Sequence, residues 1–190
     1  MGNREDLLNG AKQAILERGL AKVTARDIAA AAGVSLAAIG YHFGSKDQLV
    51  TEALLTAMGG GVGDEFEQAI REAGEGRPLG AALAPTWTAL LEVVRRNREI
   101  LLLSLENGVR VARDPDQQRV MSEAVANACD ELAATLRDQH PDLDAAAARA
   151  VARFYFVQFQ GLALLSLIAP MAAVCEGDEF ARAVAVLGRS

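Results

Sequence analysis

Thr24-Ala-Arg-Asp-Ile-Ala-Ala-Ala-Ala-Gly-Val-Ser35, continued by Leu36-Ala-Ala-Ile-Gly-Tyr-His-Phe-Gly-Ser-Lys-Asp-Gln-Leu49, organises everything around it in this chain. Thr24 reads as a helix N-cap with Asp27, three residues on, as its capping-box partner. Ile28, Ala29 and Ala32 then fall on one inward face, and Gly33 closes the helix after barely two turns. Ser35 reads as the cap of a third short helix reaching about His42. Ser45 opens a fourth, with Gln48 in the capping-box position and Leu49, Val50, Ala53 and Leu54 as its apolar stripe. Upstream, Leu7, Leu8, Ala11 and Ile15 share one face of a first helix, and Gly19 suits the left-handed position after it.

Beyond this head the helices lengthen. Gly59–Gly61 and Gly63 interrupt or end the fourth helix, and Asp64 is placed to cap a continuation to about Ala73. Residues 74–78 form a loop, and helices are expected at about 79–96, 98–112, 115–139, 142–169 and 178–188, with Asp114-Pro115 and Pro141-Asp142 as start signals. No run alternates as a strand would, and Ala, Leu, Glu and Arg dominate. The expected fold is all-α: a compact head over residues 1–46 and a larger helical bundle over 47–190.

Composition narrows the class of protein. The 190 residues carry 19 Lys+Arg against 25 Asp+Glu, a net charge of −6 with a pI near 5.0. Such a surface does not coat nucleic acid or an anionic membrane all over. Residues 1–50 nevertheless hold six basic side chains (Arg4, Lys12, Arg18, Lys22, Arg26, Lys46) against five acidic ones, so only the head suits a polyanion. Two cysteines, Cys129 and Cys175, make neither a disulfide framework nor a four-cysteine zinc site, and read as small apolar residues of a reducing compartment. The first residues lack the unbroken apolar stretch of a secretory signal, which points to a cytoplasmic protein. From Phe154 to Cys175 no residue is charged, long enough to span a bilayer. Gln158, Gln160, Ser166 and Pro170, and the lack of a flanking Lys cluster, favour instead a helix buried on nearly all sides by its own core and a partner subunit.

Enzyme chemistry finds no support. His42 and His140 are isolated, and no H-E-x-x-H, C-x-x-C, G-x-S-x-G or phosphate-binding Gly-Lys loop occurs. No catalytic residue, metal site or cofactor is expected. The Gly59–Gly63 run lacks the strand that a dinucleotide site needs before it.

Two short helices joined by Ala32-Gly33-Val34 have the spacing of a helix-turn-helix, in which the second helix enters the major groove of DNA. On spacing alone a surface helical hairpin with no ligand fits equally well. The full string, with Ile28-Ala29, Ala32-Gly33-Val34-Ser35, Tyr41-His42-Phe43 and Lys46 followed by Leu49, resembles the N-terminal domain of the TetR family of transcriptional regulators.

That resemblance implies roles. Thr24, Ala25 and Arg26 would begin the supporting helix near a phosphate, and Ser35, Leu36, Ala37 and Ala38 would face base edges. Tyr41, His42 and Lys46 would meet the backbone, with Ile39 and Phe43 as core. Gly40 stands where the family commonly has Tyr or Phe. Leu36 and Ala37 cannot hydrogen-bond a base, which shifts readout to thymine methyls and DNA shape.

The resemblance also implies a homodimer on pseudo-palindromic double-stranded DNA, away from membranes, acting as a repressor that a small-molecule effector releases. Its alternative is a dimeric regulator whose body serves only to dimerise. The apolar surplus of 142–169 puts Phe159, Leu162 and Leu165 at the dimer interface. Trp87, Leu91, Leu102, Leu105, Glu106, Arg110, Phe156 and Gln160 are candidate effector-pocket residues, equally readable as core and as a Glu106–Arg110 surface pair.

Overall fold

A computed structural model describes residues 4–171 and 174–188. Among the described residues there are ten α-helices and no strand: α1 (Arg4–Arg18), α2 (Ala25–Ala31), α3 (Ala37–Phe43), α4 (Lys46–Ala57), α5 (Asp64–Gly74), α6 (Leu79–Arg96), α7 (Arg98–Val111), α8 (Pro115–Gln139), α9 (Ala145–Ile168) and α10 (Gly177–Leu187). The expected all-α class is the observed one.

Three local expectations change. Asp144, not Asp142, begins α9, because its carboxylate accepts the amides of Ala146 at 2.8 Å and Ala147 at 2.7 Å. Ser35 does not cap α3. Leu36 holds that position in helical conformation, and no side chain bonds the first turn. The glycine run neither ends a helix nor needs Asp64 as a cap. Met58–Gly63 winds as a π-helix, and Gly63 before Asp64 is itself helical.

The chain divides into two compact units, one running to Gly60 and including Leu102–Ala124, the other comprising Gly61–Leu101 and the chain from Val125. The boundary expected at residue 46 falls inside the first unit, because α4 buries Leu49, Val50, Ala53 and Leu54 there. Helix α4 packs on α1, where Leu7, Ala11, Ala14 and Ile15 are all under 3% exposed. Gly10 lets α1 and α2 close up: a Cβ there would lie 2.7 Å from both the Cβ and the backbone N of Ala32. The same unit ties α4 to α7 and α8 through a buried polar cluster. The Thr51 hydroxyl donates to Gln117 Oε1 and accepts from Asn107 Nδ2 at 3.3 Å. Gln117 Nε2 in turn donates to Asp114 Oδ2 at 2.9 Å. That bond, with the amides of Gln117 and Asp116, lowers the Asp114 carboxyl from its ordinary value.

In the second unit α6 is the central element, packing on α5, α9 and α10. Phe66 meets Phe159 with ring centroids 4.8 Å apart. Trp87 stacks on Phe180 at 4.1 Å and donates its indole N–H to the Cys175 carbonyl at 2.6 Å. Tyr155 is buried against Thr86, and burial pushes its phenol up. Helix α9 is long and apolar enough to cross a membrane. Within its own unit it is not covered on nearly all sides. Ala148, Ala152, Tyr155, Phe159, Leu162 and Ala163 face the core, while Phe154, Val157, Leu164, Leu165 and Ile168 are exposed.

Candidate nucleic-acid interface

Helix α2 is held at its start by a complete capping box. The Thr24 amide donates to Asp27 Oδ2 at 2.9 Å, the Asp27 amide to Thr24 Oγ1 at 3.2 Å, and the Thr24 hydroxyl to Asp27 Oδ2 at 2.7 Å. These bonds, first among them the hydroxyl, lower the Asp27 carboxyl from its ordinary value, and Arg18 at 3.1 Å adds to the effect. The Thr24 hydroxyl proton is therefore already committed. Arg26 is exposed beside it, and Ala25 is half-buried.

Gly33 makes the turn at φ 67°, a left-handed conformation that an L side chain rarely adopts, and the Val34 amide donates back to the Ala29 carbonyl at 3.0 Å. Helix α3 then seats Ile39 and Phe43 inward, 4% and 7% exposed. Its other side lies open: Ser35, Leu36, Ala37, Gly40 and Tyr41 are exposed, with Leu36 at 48% and Tyr41 at 82%. Ala38 and His42 are half-buried, and the Tyr41 ring stands edge-on to His42 at 4.9 Å. Of the groups named from the sequence as base-facing, Ser35, Leu36 and Ala37 are exposed and Ala38 is half-buried.

Lys46 is the exception. Its ammonium donates to the Val23 carbonyl at 3.3 Å and lies 3.6 Å from Asp47, whose carboxylate is also paired with Arg110. Any phosphate would use its remaining donors.

The candidate pocket residues are divided between the two units. Leu102, Leu105, Glu106 and Arg110 belong to the first unit, and Trp87, Leu91, Phe156 and Gln160 to the second. Leu102, Glu106 and Gln160 are exposed, and Leu105 and Phe156 half-buried. Arg110 pairs with Asp47 rather than with Glu106. Trp87 is core, held by Phe180 and the Cys175 carbonyl. The second unit does contain a cavity of about 550 Å³, lined by Leu91, Val94, Leu167 and Pro170 with Arg95 and Arg98. Of the expected residues only Leu91 lines it. No sequence motif marks Arg95 or Arg98, and Arg98 is placed there by donating to the Ser166 carbonyl at 2.9 Å, a contact 68 residues distant in sequence.

The dimer candidates separate likewise. Phe159 and Leu162 are 5% and 2% exposed in the core of their own unit, whereas Leu165 is on the open face. Helical periodicity gave the stripe but not which side of it the core would take.

Residues 7–53 match the family model described as bacterial regulatory proteins, tetR family. The HTH-type transcriptional repressor KstR2 of Rhodococcus jostii (strain RHA1) is 45% identical over 53 residues, 28% of this chain and 26% of that protein, so the matched stretch spans about a quarter of the relative. Residues 7–53 are therefore similar to the N-terminal domain of the TetR family.

Its fold over nearly the whole length resembles that of the transcriptional regulator SCO7518 from Streptomyces coelicolor A3(2), with a TM-score of 0.65 and 23% identity, covering 98% of each chain. It also resembles the multidrug binding protein EbrR complexed with proflavin, with a TM-score of 0.65 and 23% identity, covering 97% of this chain and 98% of that one.

Proposed function

We propose that this regulator is a cytoplasmic repressor that binds a pseudo-palindromic operator as a homodimer, with residues 24–46 of each copy at the major groove. The observation that carries the reading is the open face of α3, with Leu36, Ala37, Gly40 and Tyr41 exposed beside Arg26 on a capped supporting helix. Repression is supported by the description of KstR2. Residues 1–46 would read DNA, with α4 as their support, and the rest of the chain would dimerise and bind an effector.

A second copy is the natural cover for the exposed face of α9, where Val157, Leu165 and Ile168 are 65%, 47% and 63% exposed. The cavity beside Leu91 has the volume of a small-molecule site, and EbrR is described as binding multiple drugs. Operator and effector would then oppose each other, each weakening the other by the same factor.

The test is the salt dependence of duplex binding. Arg26→Ala and Lys46→Ala should each weaken binding to every sequence and reduce the salt slope by about one unit. An unchanged slope in both variants would remove this edge from the phosphate contacts. For the effector, ligand affinity measured with and without saturating operator should differ roughly 5–150-fold, and equal values would leave a body that only dimerises.

A further inference from the structure

The open side of α3 is unusual in what it lacks. Between the Ser35 hydroxyl and the Tyr41 phenol, its exposed positions are Leu36, Ala37 and Gly40, none with a side-chain donor or acceptor. Ala37 and Gly40 lie one turn apart on the same side, and a Cβ built on Gly40 would meet nothing within 4 Å. Leu36 projects beside them with 48% of its surface exposed. A strip this small lets the helix backbone approach a groove floor closely, with one apolar side chain leading.

Major-groove edges of base pairs are polar except for one group, the C5-methyl of thymine. Guanine and cytosine edges placed against Leu36 would lose water and gain no partner, whereas a thymine methyl would bury apolar surface at no such cost. Resting on the DNA-binding reading above, we propose that Leu36, backed by Ala37, reads thymine methyl groups. Each operator half-site then carries thymine at the pair facing Leu36, and G·C there is excluded by unpartnered edges rather than by a specific contact.

The experiment uses the full-length protein and the duplex enriched from a randomised pool, with deoxyuridine substituted for thymidine one position at a time. Uracil keeps every hydrogen-bonding group of thymine and lacks only the methyl. At the contacted pair the substitution should weaken binding about fourfold in one half-site and roughly 15-fold in both, the burial of one methyl group each. In Leu36→Ala, which changes an exposed side chain and should melt as the parent does, the uracil penalty should fall below about twofold. Two results overturn the proposal: a duplex with uracil throughout that binds like the thymine duplex, or a uracil penalty that persists undiminished in Leu36→Ala. Failure to enrich any duplex overturns the DNA-binding reading itself, which separates the two claims.

Discussion

Replacing Thr51 by Val removes one hydroxyl from the buried cluster that joins α4 to α7 and α8, at almost constant volume. Thr51, Asn107 and Gln117 are 2%, 2% and 6% exposed, so water cannot substitute for the lost group. Gln117 Oε1 loses its donor and Asn107 Nδ2 loses its acceptor at 3.3 Å. Stranding a buried polar group costs about 1–3 kcal/mol, and the longer Asn107 bond belongs at the low end, so the two together cost about 2–4 kcal/mol. Helix propensity barely changes, because both residues are β-branched. Against a total stability of about 5–15 kcal/mol this is a large fraction. Urea unfolding should show the midpoint falling by roughly 1 M, taking a slope of about 2–3 kcal/mol/M. The double variant Thr51→Val with Asn107→Leu should lose less than the sum of the singles, since it removes one of the stranded groups. A midpoint within about 0.2 M of the parent would refute the claim that this cluster is closed to water and that its bonds hold α4 in place.

Three further outcomes follow from the same geometry. Gly40→Ala should stabilise the first unit by about 0.5–1 kcal/mol in thermal unfolding, because the position is helical, open and free of contacts; destabilisation would mean α3 is crowded. The Asp27 carboxyl lies below its ordinary value in the folded chain, so its contribution is fully present above about pH 5, and is lost as pH falls through its folded value. Asp27→Asn should flatten that acid limb, and an unchanged acid limb would show that Asp27 does not link capping to pH. Leu165→Glu should yield folded monomers in sedimentation, while Phe159→Glu buries a charge against Phe66 and should unfold the second unit; a folded Phe159→Glu dimer would contradict its core placement.

What the sequence made legible was what local chemistry controls. Thr24 with Asp27, Gly19 and Gly33 in left-handed turns, and the limits of α6 and α8 follow from capping, glycine freedom and punctuation, all within a few residues. The outward set of α3 was legible too, because Ile39 and Phe43 claim the inward side. The wrong cap at Ser35 shows the limit even there, since Leu36 took helical dihedrals and left no position for a side-chain cap. Pocket lining and core could not be told apart in the sequence. Trp87 reads the same whether it lines a cavity or stacks on Phe180, and that pairing spans 93 positions along the chain. Arg110 had a local partner in Glu106 and took Asp47 instead. Nor does a 3.6-residue period say which side of an apolar helix meets its own core, which is why Phe159 and Leu162 turned inward and Val157 and Ile168 outward.

The central claim, that the α2–α3 surface of two copies reads one DNA site, is tested most directly by selecting duplexes from a fully randomised pool with the full-length chain. The account predicts enrichment of an inverted repeat whose half-site centres lie one helical turn apart or a multiple of it, bound by two copies or a multiple of two, and lost together with Arg26 and Tyr41 when both are replaced by Ala. Enrichment of no sequence, or of a site without inverted symmetry that the double variant still binds, would contradict it.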